Sequence, residues 1–308
     1  VFIDQNFIKF FFKFNDYFYE EQKVDFEIRK KIFSFPINET IFEKSLNEIL
    51  INSFPVTYLE NFKNYNNYLK YKIPYQFVNI LTSNLHISND MFSIWVANNV
   101  YQNNSKLYIF QNGGNEGLNN INFTKNHNLD ISNLYFDWGW QKKDNNSFIG
   151  SSKLYRLSKK FKKKYNWLNK EFLLVTTETA PFHSIHIDGA IGSSIFYDFK
   201  YLIELIHNIE ISKQKNFKIR LNHKSYGWNI KREIKEKFPS IQFDKTKSYY
   251  SAIFKYRCVI FFYYGTTFIE SMYFNIPSII FLSDNWINCI DDKVLVKSMQ
   301  DCKILHTN

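Results

Sequence analysis

The sequence predicts an α/β protein built on parallel, helix-covered sheets. Three observations carry this. Short apolar runs alternate with stretches of helical period along most of the chain, which is the pattern of βαβ units. The runs end in small polar residues, so Thr176, Glu178, Asn222, His223, Gly265, Thr266 and Thr267 collect at strand ends. The 308 residues are 45% apolar, enough for two cores of ordinary size.

Up to about residue 70 the pattern is helical, punctuated by Pro36, Pro55 and Pro74. Phe7, Phe10, Phe11, Phe14 and Phe18 recur at helical spacing and predict a core-facing helix rather than a membrane span, since Asp4, Lys9 and Lys13 interrupt the apolar stretch. Phe77–Leu81 reads as a strand, Ser88–Tyr101 as a helix capped by Ser88, Lys106–Phe110 as a strand, and Leu134–Trp138 as another closing in Gly139-Trp140. Residues 151–170 are rich in lysine and read as a solvated linker or as a face attracted to an anionic membrane. The domain boundary is placed there, giving domains 1–155, with a helical leader, and 156–308.

The second half repeats the alternation. Strands are expected at 171–177, 217–221, 241–243, 259–263 and 278–282, and helices at 194–211, 229–238, 247–255 and 267–274. This is a doubly wound pattern, and ligands of such sheets bind outside the carboxyl ends of the strands. The chain begins at Val1 rather than Met, which admits an N-terminal domain shortened at its start.

The net charge of +10 suits acidic partners such as nucleotides, phosphorylated lipids or an anionic membrane face. Nucleic acid is not expected, because the basic residues cluster in one stretch and no recognition motif accompanies them. Phe, Tyr, Ile, Asn and Lys are abundant and share A- and T-rich codons, a bias that needs no function to explain it, so the aromatic content is not read as a base-stacking surface. Cys258, Cys289 and Cys302 form neither a disulfide framework nor a metal-ligand spacing, and predict reduced thiols in a cytoplasmic protein.

The most informative stretch is Tyr264-Gly265-Thr266-Thr267-Phe268-Ile269-Glu270, after the apolar run 259–263. A strand ends at a glycine and a helix begins at a threonine pair. The free amides and dipole of a helix start favour an anion there. The same residues also fit a capping box, Thr267 with Glu270, which requires no ligand. The first half has its own glycine loop at a strand end, Gln111-Asn112-Gly113-Gly114-Asn115-Glu116-Gly117.

These motifs occur in the order 111–117, Asp137-Trp138-Gly139-Trp140, Arg220-Leu221-Asn222-His223, Tyr226-Gly227-Trp228, 265–270 and Asn275-Ile276-Pro277. Over residues 55–285 that order resembles bacterial surface-carbohydrate (O-antigen or capsule) biosynthesis transferases. These are GT-B-like and remotely similar to glycerophosphotransferases that use CDP-glycerol. The resemblance implies two Rossmann-like domains facing a cleft, a nucleotide-activated donor on the C-terminal one, and transfer to a growing surface glycan. One departure matters: such relatives carry Gln-His-Gly-Gly where this chain has Gln111-Asn112-Gly113-Gly114. Asn112 takes no proton at neutral pH, though it donates and accepts hydrogen bonds.

Glycosyl transfer needs a stabilised leaving phosphate, a base for the acceptor hydroxyl, and exclusion of water. For the phosphate the candidates are Gly265, Thr266 and Thr267, with Arg220 and His223 adding charge or a donor; Arg220 is alternatively a structural pair. The resemblance adds Glu270 as a partner of the donor ribose. For the base the candidates are Glu116, His127, Asp137, Glu178, His183, His186 and Asp188. Glu116 is favoured by its place in the loop, with Asn112 as an orienting residue. Gln111, Gly113, Gly114 and Trp140 are assigned to the acceptor side. His183, His186 and Asp188 crowd one loop but lack a fourth ligand, so no metal and no resident cofactor are expected; the nucleotide sugar is a co-substrate. A CMP-linked acidic sugar is the donor considered first, with a lipid-linked or oligosaccharide acceptor and peripheral contact with the inner membrane. The alternatives are a CDP-polyol phosphotransferase and a non-catalytic nucleotide- or carbohydrate-binding relative.

Overall fold

The computed structural model describes residues 23–33, 40–114, 116–119, 122–139, 146–160, 165–166, 168–178, 194–222 and 225–307. The Phe7–Phe18 helix lies outside them. The chain divides into two compact units, Val1–Phe110 and Gln111–Asn308, and the boundary expected at residue 155 lies inside the second.

The first unit contains helices α1 (Phe26–Phe33), α2 (Ile41–Ser53), α3 (Phe62–Lys72), α4 (Leu85–Ser88) and α5 (Asp90–Asn103). Its strands β1 (Asn79–Thr82) and β2 (Lys106–Phe110) pair in parallel, with Ile80 opposite Leu107. Arg29 is a buried staple: its guanidinium pairs with Glu60 at 2.6 Å and donates to the carbonyls of Ile51 and Phe54. It thereby satisfies carbonyls at the end of α2 that the helix leaves open. The cap of α5 differs from expectation. Asn89, not Ser88, accepts the Phe92 amide at 2.9 Å, while the Ser88 hydroxyl donates to the Asn84 carbonyl. Both residue types cap well, and spacing alone does not separate neighbours.

The second unit holds α6 (Phe123–Ile131), β3 (Leu134–Asp137), β4 (Asn146–Phe148), α7 (Ser152–Lys160), β5 (Phe172–Val175), α8 (Ser194–Asn208) and α9 (Ile211–Gln214). It continues with β6 (Phe217–Arg220), α10 (Ile230–Lys237), β7 (Gln242–Phe243), α11 (Tyr249–Ile253), β8 (Cys258–Phe261), α12 (Thr266–Tyr273) and β9 (Ser278–Phe281). It closes with α13 (Asp284–Asn288), α14 (Lys293–Asp301) and β10 (Leu305–His306). Strands β3 and β4 pair in parallel.

Six strands form one parallel sheet in the order β7-β6-β5-β8-β9-β10. Counted within this sheet the order is 3-2-1-4-5-6, that of a Rossmann sheet. The side chains explain why the central strands β5 and β8 read as unbroken apolar runs. Leu173, Val175, Val259 and Phe261 face one core, with Phe268 of α12 and Trp286 of α13. Leu174, Cys258, Ile260 and Ile219 face the other, with Leu202 and Ile206 of α8 and Ile234 of α10. A sheet covered on both faces has no polar face to alternate with. The expected α/β class with parallel sheets is what the chain adopts.

Candidate active site

The carboxyl edge of the six-stranded sheet is where polar residues converge. The helix after β5 covers one face and the helix after β8 covers the other, so the connections leaving these paired neighbouring strands go to opposite faces at their carboxyl ends. That divergence is the switch point where doubly wound sheets bind ligands. Here it opens a small crevice lined by Thr176, Thr177, Asp198, Phe199, Ile230 and Phe262.

Asp198 projects from α8 and is only 8% exposed. The Trp286 indole N–H lies 3.0 Å from both of its oxygens. Burial pushes the Asp198 carboxyl up to about 7, and the Trp286 hydrogen bond only partly opposes this. Sequence reasoning missed this residue. The available signal was a single acid among the aromatic residues Phe196, Tyr197 and Phe199.

Other strand ends are tied together. The Glu178 carboxylate accepts the Tyr226 amide at 3.1 Å, and its carbonyl accepts the Asn222 side chain at 3.3 Å. Arg220 pairs with Asp244, donates to the Thr246 carbonyl at 2.8 Å, and stands over the Tyr249 ring. Burial works against the Asp244 charge, but hydrogen bonds from Thr246, Tyr256 and Arg220 outweigh it and hold the carboxyl below its usual range. The neighbouring His223 lies outside the described residues, as do Trp140, His183, His186 and Asp188.

The helix start differs from a capping box. Helix α12 begins at Thr266, so Gly265 is the N-cap and no side chain caps the first turn. Thr267 sits inside the helix, its hydroxyl 2.8 Å from that of Tyr263. Glu270 is 2% exposed, and its Oε1 accepts the Tyr250 hydroxyl at 2.6 Å and the Lys153 ammonium at 2.7 Å. Thus Glu270 pairs with residues distant in sequence instead of closing a cap. The Thr266 hydroxyl accepts the Gly114 amide at 3.0 Å, which brings the glycine loop into direct contact with the helix start. The approach at Gly114 is close, since a Cβ would lie 3.1 Å from Thr266 Cα and 2.6 Å from Ile269 Cδ1, so a larger residue would force a shift there.

Within that loop Glu116 is 4% exposed. Its Oε1 accepts the amides of Asn112 and Gly113 at 3.1 and 3.0 Å, and its Oε2 accepts the Tyr135 hydroxyl. Gln111 is buried, accepting the Trp138 amide at 2.7 Å and donating to the Gly113 carbonyl. The Asn112 side chain is exposed. Asp137 accepts the Gly139 amide and the Asn146 side chain, each at 2.7 Å, and His127 is exposed on α6. The geometry therefore brings Gly114 and Thr266 together, and seats Glu270 one turn further along the same helix.

A second feature of this unit is a cavity of about 1120 Å³ lined mainly by apolar side chains, among them Leu118, Phe148, Ile269, Leu295 and Met299. Among the described residues no group of three or more His, Cys, Asp or Glu is placed to hold a metal ion. No helix among them is long and apolar enough to cross a membrane.

A family model for LIC12162 transferases matches residues 3–308. The chain belongs to the LIC12162 transferase family. Family membership agrees with the transferase expected from the motif order. No curated protein sequence matches significantly. Among solved structures, OtsA in its apo form aligns at 7% identity with a TM-score of 0.43, over 91% of this chain and 74% of OtsA. UDP-GlcNAc 2-epimerase from Neisseria meningitidis, bound to UDP-GlcNAc, aligns at 12% identity with a TM-score of 0.32; 74% of this chain is covered, and the chain spans 61% of the epimerase.

Proposed function

We propose that this transferase is a GT-B-like glycosyltransferase that moves a sugar from a nucleotide-activated donor, a CMP-linked acidic sugar being the first candidate, to a surface-polysaccharide acceptor. The observation that carries the reading is the Rossmann strand order, which brings Thr176, Asn222 and the uncapped start of α12 to one edge. Residues up to 155 serve the acceptor and those from 156 the donor.

In this reading the donor phosphate lies against the first-turn amides at Gly265, Thr266 and Thr267, where the helix dipole stabilises the charge that develops on leaving. The sugar–oxygen bond to the nucleotide breaks, its electron pair stays with the phosphate, and the acceptor oxygen bonds the sugar carbon. Arg220 is held at this edge by Asp244 and the Thr246 carbonyl, and it and His223 are the proposed cationic partners of the phosphate. The ribose hydroxyls meet Glu270. Gln111, Gly113, Gly114 and Trp140 frame the acceptor. Glu116 was the favoured base by position, but its oxygens are engaged by two amides and Tyr135, so its role here is to hold the loop rigid. The exposed Asn112 orients the acceptor hydroxyl. The acceptor proton passes to a carboxylate of the sheet edge, for which we propose Asp198, which lines the crevice there and whose pKa burial raises to about 7.

Thermal shift against CMP, CDP, UDP and GDP, followed by calorimetry, tests the reading. At least one nucleotide is expected to raise the melting temperature. Thr266→Ala and Glu270→Gln should weaken its binding about tenfold or more, the loss of one charge-assisted hydrogen bond. Lys237→Ala, on the outer face of α10, should leave it unchanged. Equal affinities in all three variants refute the site. A product retaining the donor phosphate would make the enzyme a CDP-polyol phosphotransferase, and nucleotide binding without turnover would make it a non-catalytic relative.

A further inference from the structure

The basic stretch is not uniformly a solvated linker. Helix α7 carries Lys153, Arg156, Lys159 and Lys160 and no acid, and buries Leu154 and Leu157 on its inner stripe. Beside this basic face three large apolar side chains stand in solvent: Phe148 at 68% exposure, Ile149 at 49% and Tyr155 at 62%. The Phe148 ring rests on Gly139, where a Cβ would lie 3.0 Å away and where φ is +122°. Lys159 lies 5.2 Å above the Tyr155 ring.

Phe148, Ile149 and Tyr155 also line the large cavity, so they form its lip. At about 1120 Å³ it exceeds the roughly 300–1,000 Å³ of ordinary small-molecule pockets. Its interior offers Leu118, Leu129, Ile269, Leu295 and Met299, side chains that recognise hydrocarbon rather than sugar. Its polar lining includes Lys125, Asn146, Ser151, Ser152, Asp291 and Asp292, with Asp292 occupied in capping α14 through the Leu295 amide. An apolar interior, an exposed apolar lip and a helix of one sign of charge are together the features of a site for an amphiphile taken from an anionic membrane surface.

We infer that this cavity takes the hydrocarbon chain of an anionic lipid drawn from a bilayer, with the acidic head held by Arg156 and Lys159 of α7. The inference deepens the transfer reading by naming the acceptor class as lipid-linked, and it rests on that reading only for what the lipid is used for. Contact begins at the lip: Phe148, Ile149 and Tyr155 enter the interface, and the cations lie at the level of the lipid phosphates. The chain then leaves the bilayer for the cavity without exposure to water, which places the polar end of the acceptor outside, on the side of the basic helix.

Sedimentation of the full chain with vesicles tests this. Vesicles of phosphatidylcholine with phosphatidylglycerol should retain the protein and vesicles of phosphatidylcholine alone should not. Arg156→Ala/Lys159→Ala together should weaken retention about thirtyfold, from roughly fivefold for each basic residue at an anionic surface. Phe148→Ser/Tyr155→Ser should also weaken it, and this loss should persist at high salt. Native mass spectrometry of protein recovered from the vesicles should show one bound lipid, absent in Leu295→Trp or Met299→Trp, two independent ways of filling the cavity. Equal retention on both vesicle types, or lipid carried undiminished by both filled variants, overturns the inference. The nucleotide thermal shift, run on the same samples, separates the two proposals: its loss with lipid binding intact counts against the transfer reading alone.

Discussion

Glu116 and Glu270 look alike in the sequence, each a glutamate a few residues beyond a glycine at a strand end. Their surroundings differ. Glu116 is satisfied by its own loop, through the amides of Asn112 and Gly113, plus Tyr135. Glu270 is satisfied from afar, by Tyr250 and by Lys153. A carboxylate that closes its own loop is part of the scaffold. One whose oxygen is held by a half-exposed lysine has a partner that a ligand hydroxyl can replace. Local spacing is therefore informative about Glu116 and silent about Glu270.

The largest effect should come from the loop carboxylate. Glu116→Ala strips the acceptor from two amides and one phenol in a site that is 4% exposed. At about 1–3 kcal/mol for each stranded donor, the loss is about 5 kcal/mol. Urea denaturation of Glu116→Ala measures it. A loss below about 1 kcal/mol would mean that water replaces the carboxylate freely, and the contrast with Glu270 would fail.

Asp198 sharpens the same contrast, because it is a buried carboxylate with one indole donor in place of three partners. Its folded pKa of about 7 lies above the ordinary 3.8. The folded state therefore holds this proton after the unfolded chain has released it. The stabilisation is fully present below about pH 4 and falls as pH rises from about 4 to about 7, after which it is gone. At about 1.4 kcal/mol per unit, the change is at most about 4 kcal/mol. Melting curves of the wild type and Asp198→Asn across this range isolate it. The difference between the two should slope with pH, and parallel curves would show that Asp198 is ionised throughout.

Much of the fold was legible for a physical reason. Strands β5, β8 and β9 pack on both faces, so apolar residues run through them, whereas β6 buries only Ile219 between Lys218 and Arg220; the residues closing these strands sit at the carboxyl edge. Strands β4 and β10 are too short to form a run, and in Asn146-Ser147-Phe148 the single apolar residue is exposed. The glycine loop and helix start were found as motifs, but their direct contact, Gly114 on Thr266, spans 152 positions and leaves no local trace. The Thr267–Glu270 spacing fits a cap in any helix, and only the tertiary fold supplies Tyr250 and Lys153 as stronger partners. Lys153 was hidden for the opposite reason: in a run of lysines, the one that ends on a buried carboxylate has the same spacing as those in solvent.

The smallest expected effect concerns that pair and decides most about the donor site. Lys153 stays 44% exposed, so solvent screens its bond to Glu270 and the coupling should be only about 1 kcal/mol. A double-mutant cycle of Lys153→Ala and Glu270→Gln measures it, the double variant costing less than the sum of the two. The informative step is to repeat the cycle with the tightest-binding nucleotide present. If a ribose hydroxyl shares Glu270, it competes with Lys153 for the same oxygen, and the coupling shrinks towards zero. A coupling unchanged by nucleotide would show that Glu270 serves only to anchor α7 on α12, leaving the donor to the amides at Thr266 and Thr267 alone.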